Sequence, residues 1–249
     1  MNSSTVFLDR LIAHRGCQQL FPENSQAGIA HALSLGIKFI EIDINLSADG
    51  VFVLCHDSEL QRLTGQPLLL KNCSLEHLQT LSFHEPERLG EQFYPTPICS
   101  LKDCLELIKS VADSHVYIEI KRESLLRVGR EPLLEQLYPV IKDTLDQLSL
   151  ISFDMEVLTL AHKQQRFPRL LPVIHDIEQW HSRELAHLNP PLVISRLDRL
   201  PSKPSELPYP VALYEIENLA QAQYWLEQGA TQLESFATAQ LLVDHRADS

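Results

Sequence analysis

No stretch of this sequence is apolar over the roughly 20 residues that a membrane-spanning helix needs. Its first residues, Met1-Asn2-Ser3-Ser4, contain neither the basic segment nor the apolar segment of a secretory signal. Both absences argue against stable membrane insertion and against export. We therefore expect a cytoplasmic protein.

Positive charge is also scarce. The chain has 21 lysine and arginine residues against 33 aspartate and glutamate residues, which gives a formal net charge of −12. The phosphate backbone of nucleic acids repels such a protein, so nucleic acid is not an expected partner. An anionic small-molecule substrate would need local positive charge, supplied by a bound metal or by well-placed arginine and lysine side chains.

Cysteine is infrequent, and its spacing has no metal or disulfide signature. The five cysteines are odd in number and none belongs to a Cys-x-x-Cys pair: Cys17, Cys55, Cys73, Cys99 and Cys104. This pattern argues against a disulfide framework, and we expect reduced thiols.

No linker or charge run divides the chain, and residues 1–249 are expected to form one domain of the length usual for an α/β barrel. Apolar runs predict nine strands, at 11–14, 38–44, 51–55, 115–121, 148–152, 170–174, 192–196, 210–216 and 231–234. Helical spacing recurs between them, at Ala27/Ala30/Leu33, Leu101/Cys104/Leu105/Ile108, Leu134/Leu137/Ile141/Leu148 and Ile177/Trp180/Glu184/Leu188. The alternation predicts a parallel sheet closed by crossover helices.

One of these nine strands is surplus to a (β/α)8 barrel. Too few residues separate the second predicted strand from the third for a parallel crossover, and Asp49-Gly50 is typical of a hairpin turn. If Ala48 lies opposite Val51, Asp43 falls roughly opposite His56, and a bulge or slip would move this pairing by about one residue. We therefore expect an additional hairpin strand that returns His56 to the end of the strand bearing Asp43.

Two predicted strands carry charges on alternate residues. Glu41 and Asp43 alternate with isoleucines, so both side chains point to one face, and Glu119 and Lys121 repeat the pattern. An exposed strand would explain one such pattern, but two strands with isoleucines opposite the charges favour an internal site. Adjacent carboxylates repel unless a cation or protons compensate, and hard oxygen ligands suit Mg²⁺ or Ca²⁺ better than zinc.

His14 and His56 each follow an apolar run. A single histidine at a strand end is more often a core or loop residue than a catalyst. Two of them near a pair of carboxylates favour acid-base chemistry, because general acid-base catalysis needs groups with pKa values near neutrality. Between them, Pro22-Glu23-Asn24-Ser25 predicts a helix start capped by Asn24 or Ser25, and this segment could also support the site.

The ordered set of motifs resembles the glycerophosphodiester phosphodiesterase family over most of the first 155 residues. The matching residues are His14-Arg15-Gly16, Pro22-Glu23-Asn24-Ser25, Glu41-x-Asp43, Ser47-Ala48-Asp49-Gly50, His56-Asp57, Leu60-x-Arg62-x-Thr64-Gly65, Pro97-x-x-Ser100-Leu101, Glu119-Ile120-Lys121 and Ser152-Phe153.

The resemblance implies a TIM barrel that uses a divalent cation to hydrolyse glycerophosphodiesters, small-molecule substrates, to sn-glycerol 3-phosphate and an alcohol. Carried over by position, the metal ligands would be Glu41, Asp43 and Glu119, the acid-base pair His14 and His56, and the phosphate contacts Arg15 and Lys121.

The carboxyl-terminal third departs from the family pattern. Tyr214-Glu215-Ile216-Glu217 replaces a common Trp-Thr-Val-Asn, and Leu233-Glu234-Ser235-Phe236 replaces a common Ile-Thr-Asp-x-Pro. An aromatic residue survives as Tyr214, which we expect to contact the substrate. The three added glutamates at the expected barrel mouth could favour a cationic head group such as choline or ethanolamine.

Two other functions fit the same barrel. One is a lysophospholipase D-like enzyme or related lyase, for which an apolar mouth would be expected. The other is a non-catalytic binding protein, against which the complete set of buried polar residues argues, because an unused site tends to lose polar groups that cost stability.

Overall fold

Eight parallel strands close into a barrel in the computed structural model, which describes residues 7–248. Met1-Asn2-Ser3-Ser4, on which the expectation of no secretory signal rests, lie outside the described residues. The strands are β1 Leu11–Ala13, β2 Phe39–Leu46, β3 Phe52–Leu54, β4 His115–Ile120, β5 Leu148–Ser152, β6 Leu170–Ile174, β7 Val193–Arg196, β8 Val211–Tyr214 and β9 Gln232–Ser235. All nine predicted strands are present, and the TIM-barrel prediction is confirmed.

The ring runs β1-β2-β4-β5-β6-β7-β8-β9 and closes between β9 and β1. The α-helices alternate with the strands or lie in the segment between β3 and β4: α1 Gln26–Ser34, α2 Gln61–Thr64, α3 Leu75–Leu78, α4 Pro86–Leu89, α5 Leu101–Lys109, α6 Arg122–Val128, α7 Arg130–Ile141, α8 Met155–Gln164, α9 Arg183–Leu188, α10 Leu219–Glu227 and α11 Thr238–Asp248. Within residues 7–248, no helix is both long and apolar enough to cross a membrane. The five cysteines are buried as free thiols.

Apolar and acidic residues alternate along β2, so the isoleucines face the surrounding helices and the carboxylates face the barrel interior. Ile40, Ile42 and Ile44 are fully buried in the main apolar core, where helix residues such as Leu134 and Leu137 also lie. Each fully buried isoleucine stabilises the fold by roughly 1.5–3 kcal/mol relative to an exposed one. Because successive side chains of a strand point to opposite faces, this packing directs the intervening carboxylates into the barrel.

The predicted hairpin is confirmed, and its register is shifted by one residue from Ala48 opposite Val51, within the range expected for a bulge or slip. β3 pairs antiparallel with β2 outside the ring, with Leu46 opposite Phe52. The backbone N–H of Cys55 donates to the carbonyl of Asp43 at 3.0 Å, so Cys55, not His56, lies opposite Asp43. The turn has three residues and ends at Gly50 with φ 81°, a geometry that a three-residue hairpin loop takes with glycine.

Three of the predicted helix faces need correction. In α1 the buried residues are Gly28, Ile29, Ala32 and Leu33, whereas Ala27 is exposed. Leu148 belongs to β5 and not to the preceding helix. The predicted helix through Ile177 and Leu188 is two elements, because Ser182 caps a new helix after a 3-10 turn. Only the face Leu101/Cys104/Leu105/Ile108 is buried as predicted.

Residues 57–98, between β3 and β4, form a small lobe with short helices α2, α3 and α4. A separate apolar cluster fills it, with Leu60, Leu63 and Phe83 among its buried members. The lobe packs beside the carboxyl ends of β1 and β2, since the side chain of Arg88 donates to the carbonyls of Gln18 and Phe21 at 2.7 and 2.8 Å. It thereby positions charged groups next to the barrel opening.

Gly16 sets the path of the chain after β1. It has φ 81°, and a Cβ atom there would lie 2.9 Å from the backbone nitrogen of Ile29 in α1. No side chain fits without moving that helix. The close approach holds the loop with His14 and Arg15 against α1.

We expect Gly16→Ala to lower the free energy of unfolding by about 2–4 kcal/mol, from left-handed backbone strain together with overpacking. Gly65 is the matched control, since it has φ 75° but its Cβ would meet nothing closer than 3.5 Å. Gly65→Ala should cost only about 1–2 kcal/mol. Urea denaturation of both variants measures the difference, and equal losses would contradict the packing argument.

Candidate active site

Three carboxylates from two neighbouring strands meet at the carboxyl end of the barrel. β2 and β4 pair in parallel with Asp43 directly opposite Glu119. Oxygen atoms of Glu41, Asp43 and Glu119 all lie within 4.8 Å of one another. The sequence predicts these residues as one group, and the structure brings them together.

Glu41 is almost completely buried, with 2% of its surface exposed. Its Oε2 accepts a hydrogen bond from the backbone N–H of Arg15 at 3.0 Å, whereas its Oε1 is buried and has no hydrogen-bond partner among residues 7–248. Burial raises the pKa of Glu41 well above its ordinary value, and the charges of Asp43 and Glu234 add to the shift. A buried acceptor without a partner is costly unless a cation or proton satisfies it.

Asp43 has the opposite environment. Its Oδ2 accepts from the amide of Asn24 at 2.9 Å and lies 3.1 Å from Nε of Arg15, and its Oδ1 lies 3.3 Å from Nζ of Lys121. Burial alone would raise the pKa of Asp43, but the charges of Lys121 and Arg15 outweigh it and hold that pKa far below its ordinary value. Asp43 is therefore a carboxylate at any physiological pH.

The segment before α1 both starts that helix and supports Asp43. Ser25 is the N-cap, with its hydroxyl accepting from the N–H of Gly28. Asn24 is left to pair with Asp43 through both its amide oxygen and its amide nitrogen. The predicted helix start is confirmed, and Asn24 supplies the additional support of the site.

Lys121 follows β4 and lies between two carboxylates. Its Nζ donates to Glu119 Oε1 at 2.8 Å in addition to its contact with Asp43. Burial would lower the pKa of Lys121, but Asp43 and Glu119 raise it above its ordinary value. Burial, and then the charge of Asp43, raise the pKa of Glu119.

His14 lies at the end of β1 beside two carboxylates. Its Nε2 is 3.9 Å from Glu41 Oε2 and 3.7 Å from Glu234 Oε1, too far for hydrogen bonds. Burial, and then the charge of Arg15, lower the pKa of His14 to about 4. The imidazole is therefore neutral near pH 7 and can accept a proton.

His56 is held from behind by a chain of ion pairs. Its Nδ1 is 2.7 Å from Asp57 Oδ1, and the other oxygen of Asp57 accepts from Nε of Arg62 at 2.7 Å. Arg62 also donates two hydrogen bonds of 2.8 Å to Glu23. Since Nδ1 is occupied, Nε2 is the nitrogen of His56 that remains for a reacting group.

Glu23 connects the histidine-bearing segments with the 57–98 lobe. It is buried and accepts from both Arg15 and Arg62. Its own backbone N–H donates to Glu85 Oε1 at 2.7 Å, and Glu85 in turn accepts from Arg88. Such shared, multiply bonded pairs fix the positions of the arginines better than single surface ion pairs do.

These groups surround one cavity of about 490 Å³ at the barrel mouth. It is lined by His14, Arg15, Gln18, Gln19, Glu41, His56, Arg88, Glu119, Lys121, Ile151, Phe153, Val173, Ile194, Tyr214, Glu215, Glu234, Ser235 and Phe236. One side is charged and the other is apolar. Of the predicted site residues, all but Asp43 line it directly, including Tyr214, whose pKa is raised to about 12 by burial and then by the charge of Glu215.

Comparison with known proteins identifies the family of the chain. A model described as the glycerophosphoryl diester phosphodiesterase family matches residues 14–204. The chain belongs to this family. As a glycerophosphodiester phosphodiesterase, it is an enzyme, and the resemblance found in its sequence motifs is confirmed.

Two curated members show how far the similarity extends. A glycerophosphodiester phosphodiesterase of Caldanaerobacter subterraneus subsp. tengcongensis is 31% identical over 175 residues, which cover 69% of this chain and 70% of that one. One from Bacillus altitudinis is 29% identical over 160 residues, 63% of this chain and 62% of that one. An Oleispira antarctica phosphodiesterase, solved in complex with the product sn-glycerol-3-phosphate, is 25% identical with a TM-score of 0.84 over the full length of both chains.

Sequence reasoning missed several residues around the site of this phosphodiesterase. Glu23 stands inside the predicted helix start, and its place beside Asn24 was the available signal. Glu234 was recognised only as added negative charge, whereas the structure places it beside His14. Glu85 and Arg88 gave no signal, because their contacts join positions more than 60 residues apart.

Proposed function

We propose that the enzyme hydrolyses glycerophosphodiesters to sn-glycerol 3-phosphate and an alcohol, using a divalent cation and two histidines. The main support is that a cluster of three carboxylates, two fixed cationic side chains and two imidazoles meet at one cavity, which all of these groups except Asp43 line directly. The Oleispira relative, described with sn-glycerol-3-phosphate as its product, supports the same substrate class.

Glu41, Asp43 and Glu119 would hold the cation. The unsatisfied buried Oε1 of Glu41 and the clustering of three carboxylates fit a positive ion at this position. The all-oxygen donor set suits Mg²⁺ or Ca²⁺. When bound, such an ion supplies Lewis-acid stabilisation of charge on a phosphate oxygen.

Arg15 and Lys121 would bind the phosphate group. An ammonium group has three donors, and the contacts of Lys121 with Glu119 and Asp43 leave one free. Arg15 donates from Nη1 to Glu23 and places Nε near Asp43, and its Nη2 donates no hydrogen bond within the described chain. Both cations are held by carboxylates in advance, so they stabilise the developing negative charge without reorganising.

His14 and His56 would move the two protons of the reaction. One imidazole takes the proton of the attacking hydroxyl, whose oxygen forms the new bond to phosphorus. The other gives a proton to the alcohol oxygen as its bond to phosphorus breaks. The nucleophile is either water or a neighbouring hydroxyl of the substrate, and the second route passes through a cyclic phosphate that an early time point would reveal.

A substrate panel tests the proposal. We expect glycerophosphodiesters to release sn-glycerol 3-phosphate, detected with a coupled dehydrogenase, and bis(p-nitrophenyl) phosphate to be a slower substrate that lacks the glycerol moiety. Lysophosphatidylcholine is included because one side of the cavity is apolar. Release of choline from it, without turnover of any glycerophosphodiester, would instead identify a lysophospholipase D-like enzyme.

A further inference from the structure

Glu234 is a buried carboxylate of the cavity that the proposed mechanism does not use. Its side chain is 8% exposed, lines the cavity and accepts no hydrogen bond within residues 7–248. Its polar neighbours are His14, with Nε2 at 3.7 Å, and Glu41, since one ligand atom from each of these three residues lies within 4.8 Å of the others. A buried carboxylate that faces a cavity without a hydrogen-bond donor calls for a positively charged ligand group.

The other acidic side chains around the cavity have cationic partners, whereas Glu234 has none among lysine and arginine residues of the described chain. On the lobe side, Glu23, Asp57 and Glu85 are matched by three arginines, Arg15, Arg62 and Arg88. Glu41, Asp43 and Glu119 would be matched by Lys121, which contacts two of them, together with the proposed divalent cation. Glu215 is paired with Arg196 at 2.9 Å. A phosphodiester of a neutral alcohol would add a second uncompensated negative charge.

Aromatic side chains line the cavity that Glu234 faces. Tyr214 ends β8, next to the strand that carries Glu234, and Phe236 follows two residues after Glu234. Phe153 follows β5, and both phenylalanines are more than one-third exposed at the cavity. Aromatic faces attract cations, and a quaternary ammonium group is the cation whose apolar methyl groups suit them best.

The type of cation follows from the donors and acceptors available. A primary ammonium would need up to three acceptors, whereas a trimethylammonium group needs none. The apolar side of the cavity, with Ile151, Val173 and Ile194, offers no acceptor side chains. This wall therefore suits methyl groups around a positive charge.

We propose that Glu234, together with Tyr214, Phe153 and Phe236, selects glycerophosphodiesters whose alcohol carries a quaternary ammonium group. The inference rests on the proposed function, because the ammonium group is part of the departing alcohol. Of the three glutamates expected to favour a cationic head group, the inference assigns this role to Glu234 alone. Glu215 is paired with Arg196, and Glu217 is exposed and does not line the cavity.

The test compares two substrates that differ in one atom. Glycerophosphocholine and its analogue with 3,3-dimethylbutanol have the same shape, but carbon replaces the charged nitrogen in the analogue. We expect the wild type to favour the choline substrate by about 10-fold or more in kcat/KM. Glu234→Gln should bring the ratio to within about 2-fold of one, and Glu217→Gln, which removes the same charge outside the cavity, should leave the ratio unchanged.

The ratio separates selectivity from other roles of Glu234. If Glu234 serves only His14 or a metal, both substrates lose equally in Glu234→Gln and the ratio persists, which would overturn the proposal. If Glu234→Gln has too little activity, calorimetric binding of both substrates to His56→Ala and to the His56→Ala/Glu234→Gln double variant gives the same ratio. A wild type that hydrolyses both substrates equally, or neither of them while it hydrolyses another glycerophosphodiester, refutes the inference alone. A wild type that hydrolyses no glycerophosphodiester refutes the proposed function.

Discussion

His14→Ala and His56→Ala are each expected to lower kcat by about 10²–10⁴-fold, the usual contribution of a general acid or base. Both side chains line the cavity, and neither supports the apolar core, so both variants should fold normally. His77→Ala is the matched control, because His77 is exposed on α3. Steady-state turnover of a glycerophosphodiester, with thermal unfolding as the check on folding, measures the effect.

The leaving group then separates the two roles. p-Nitrophenolate departs without a proton, so the variant lacking the acid should recover much of its activity on a p-nitrophenyl glycerophosphate. The variant lacking the base should remain slow on both substrates. Near-wild-type turnover in both alanine variants, or no recovery in either, would contradict the assignment of an acid-base pair.

The barrel was predictable because periodicity is a local property. The isoleucines of β2 and β4 indicate which face of each strand packs against the helices. The alternate residues, Glu41, Asp43, Glu119 and Lys121, are therefore predicted to face the interior before any contact is known. Parallel strands then place these residues at one end. The convergence of the three carboxylates could thus be predicted, whereas their roles stay predictions until variants are measured.

The differences between prediction and structure occur where the local sequence pattern fits more than one conformation. The hairpin register depends on whether the turn has two or three residues, and Asp49-Gly50 fits both, so the partner of Asp43 could be predicted only to within about one residue. The predicted helix through Ile177 failed because Ser182 satisfies a new helix start, which overrides the apolar spacing.

The ion-pair network was beyond sequence reasoning for a different reason. Glu23, Arg62 and Glu85 meet only after the 57–98 lobe has packed on the barrel. Glutamate and arginine are usually exposed on protein surfaces, so their presence in a sequence does not indicate burial. Their burial, and hence their ability to hold Arg15 and Asp57, is a product of tertiary packing.

Glu41→Gln should abolish the metal-dependent activity without harming the metal-free fold. We expect a loss in turnover of about 10³-fold or more, because removal of a metal ligand forfeits several kcal/mol of transition-state stabilisation. Treatment of the wild type with EDTA should give a similar loss, and Mg²⁺, Mn²⁺ or Ca²⁺ added back should restore activity only to the wild type. Activity unchanged by chelation would remove the carboxylates from their proposed role.

The stabilities of the wild type and of Glu41→Gln, with and without metal, test whether the loss of activity arises from lost metal binding. Without a cation, Glu41 is a buried carboxyl group near Asp43, Glu119 and Glu234, with one oxygen unsatisfied. Glutamine removes that cost, so metal-free Glu41→Gln should unfold at the same temperature as the metal-free wild type or higher. Metal at about 100 times its dissociation constant should stabilise the wild type by about 2.7 kcal/mol and the variant by much less. Equal stabilisation of the two would place the cation elsewhere, whereas the expected difference would tie the unsatisfied oxygen of Glu41 directly to metal binding.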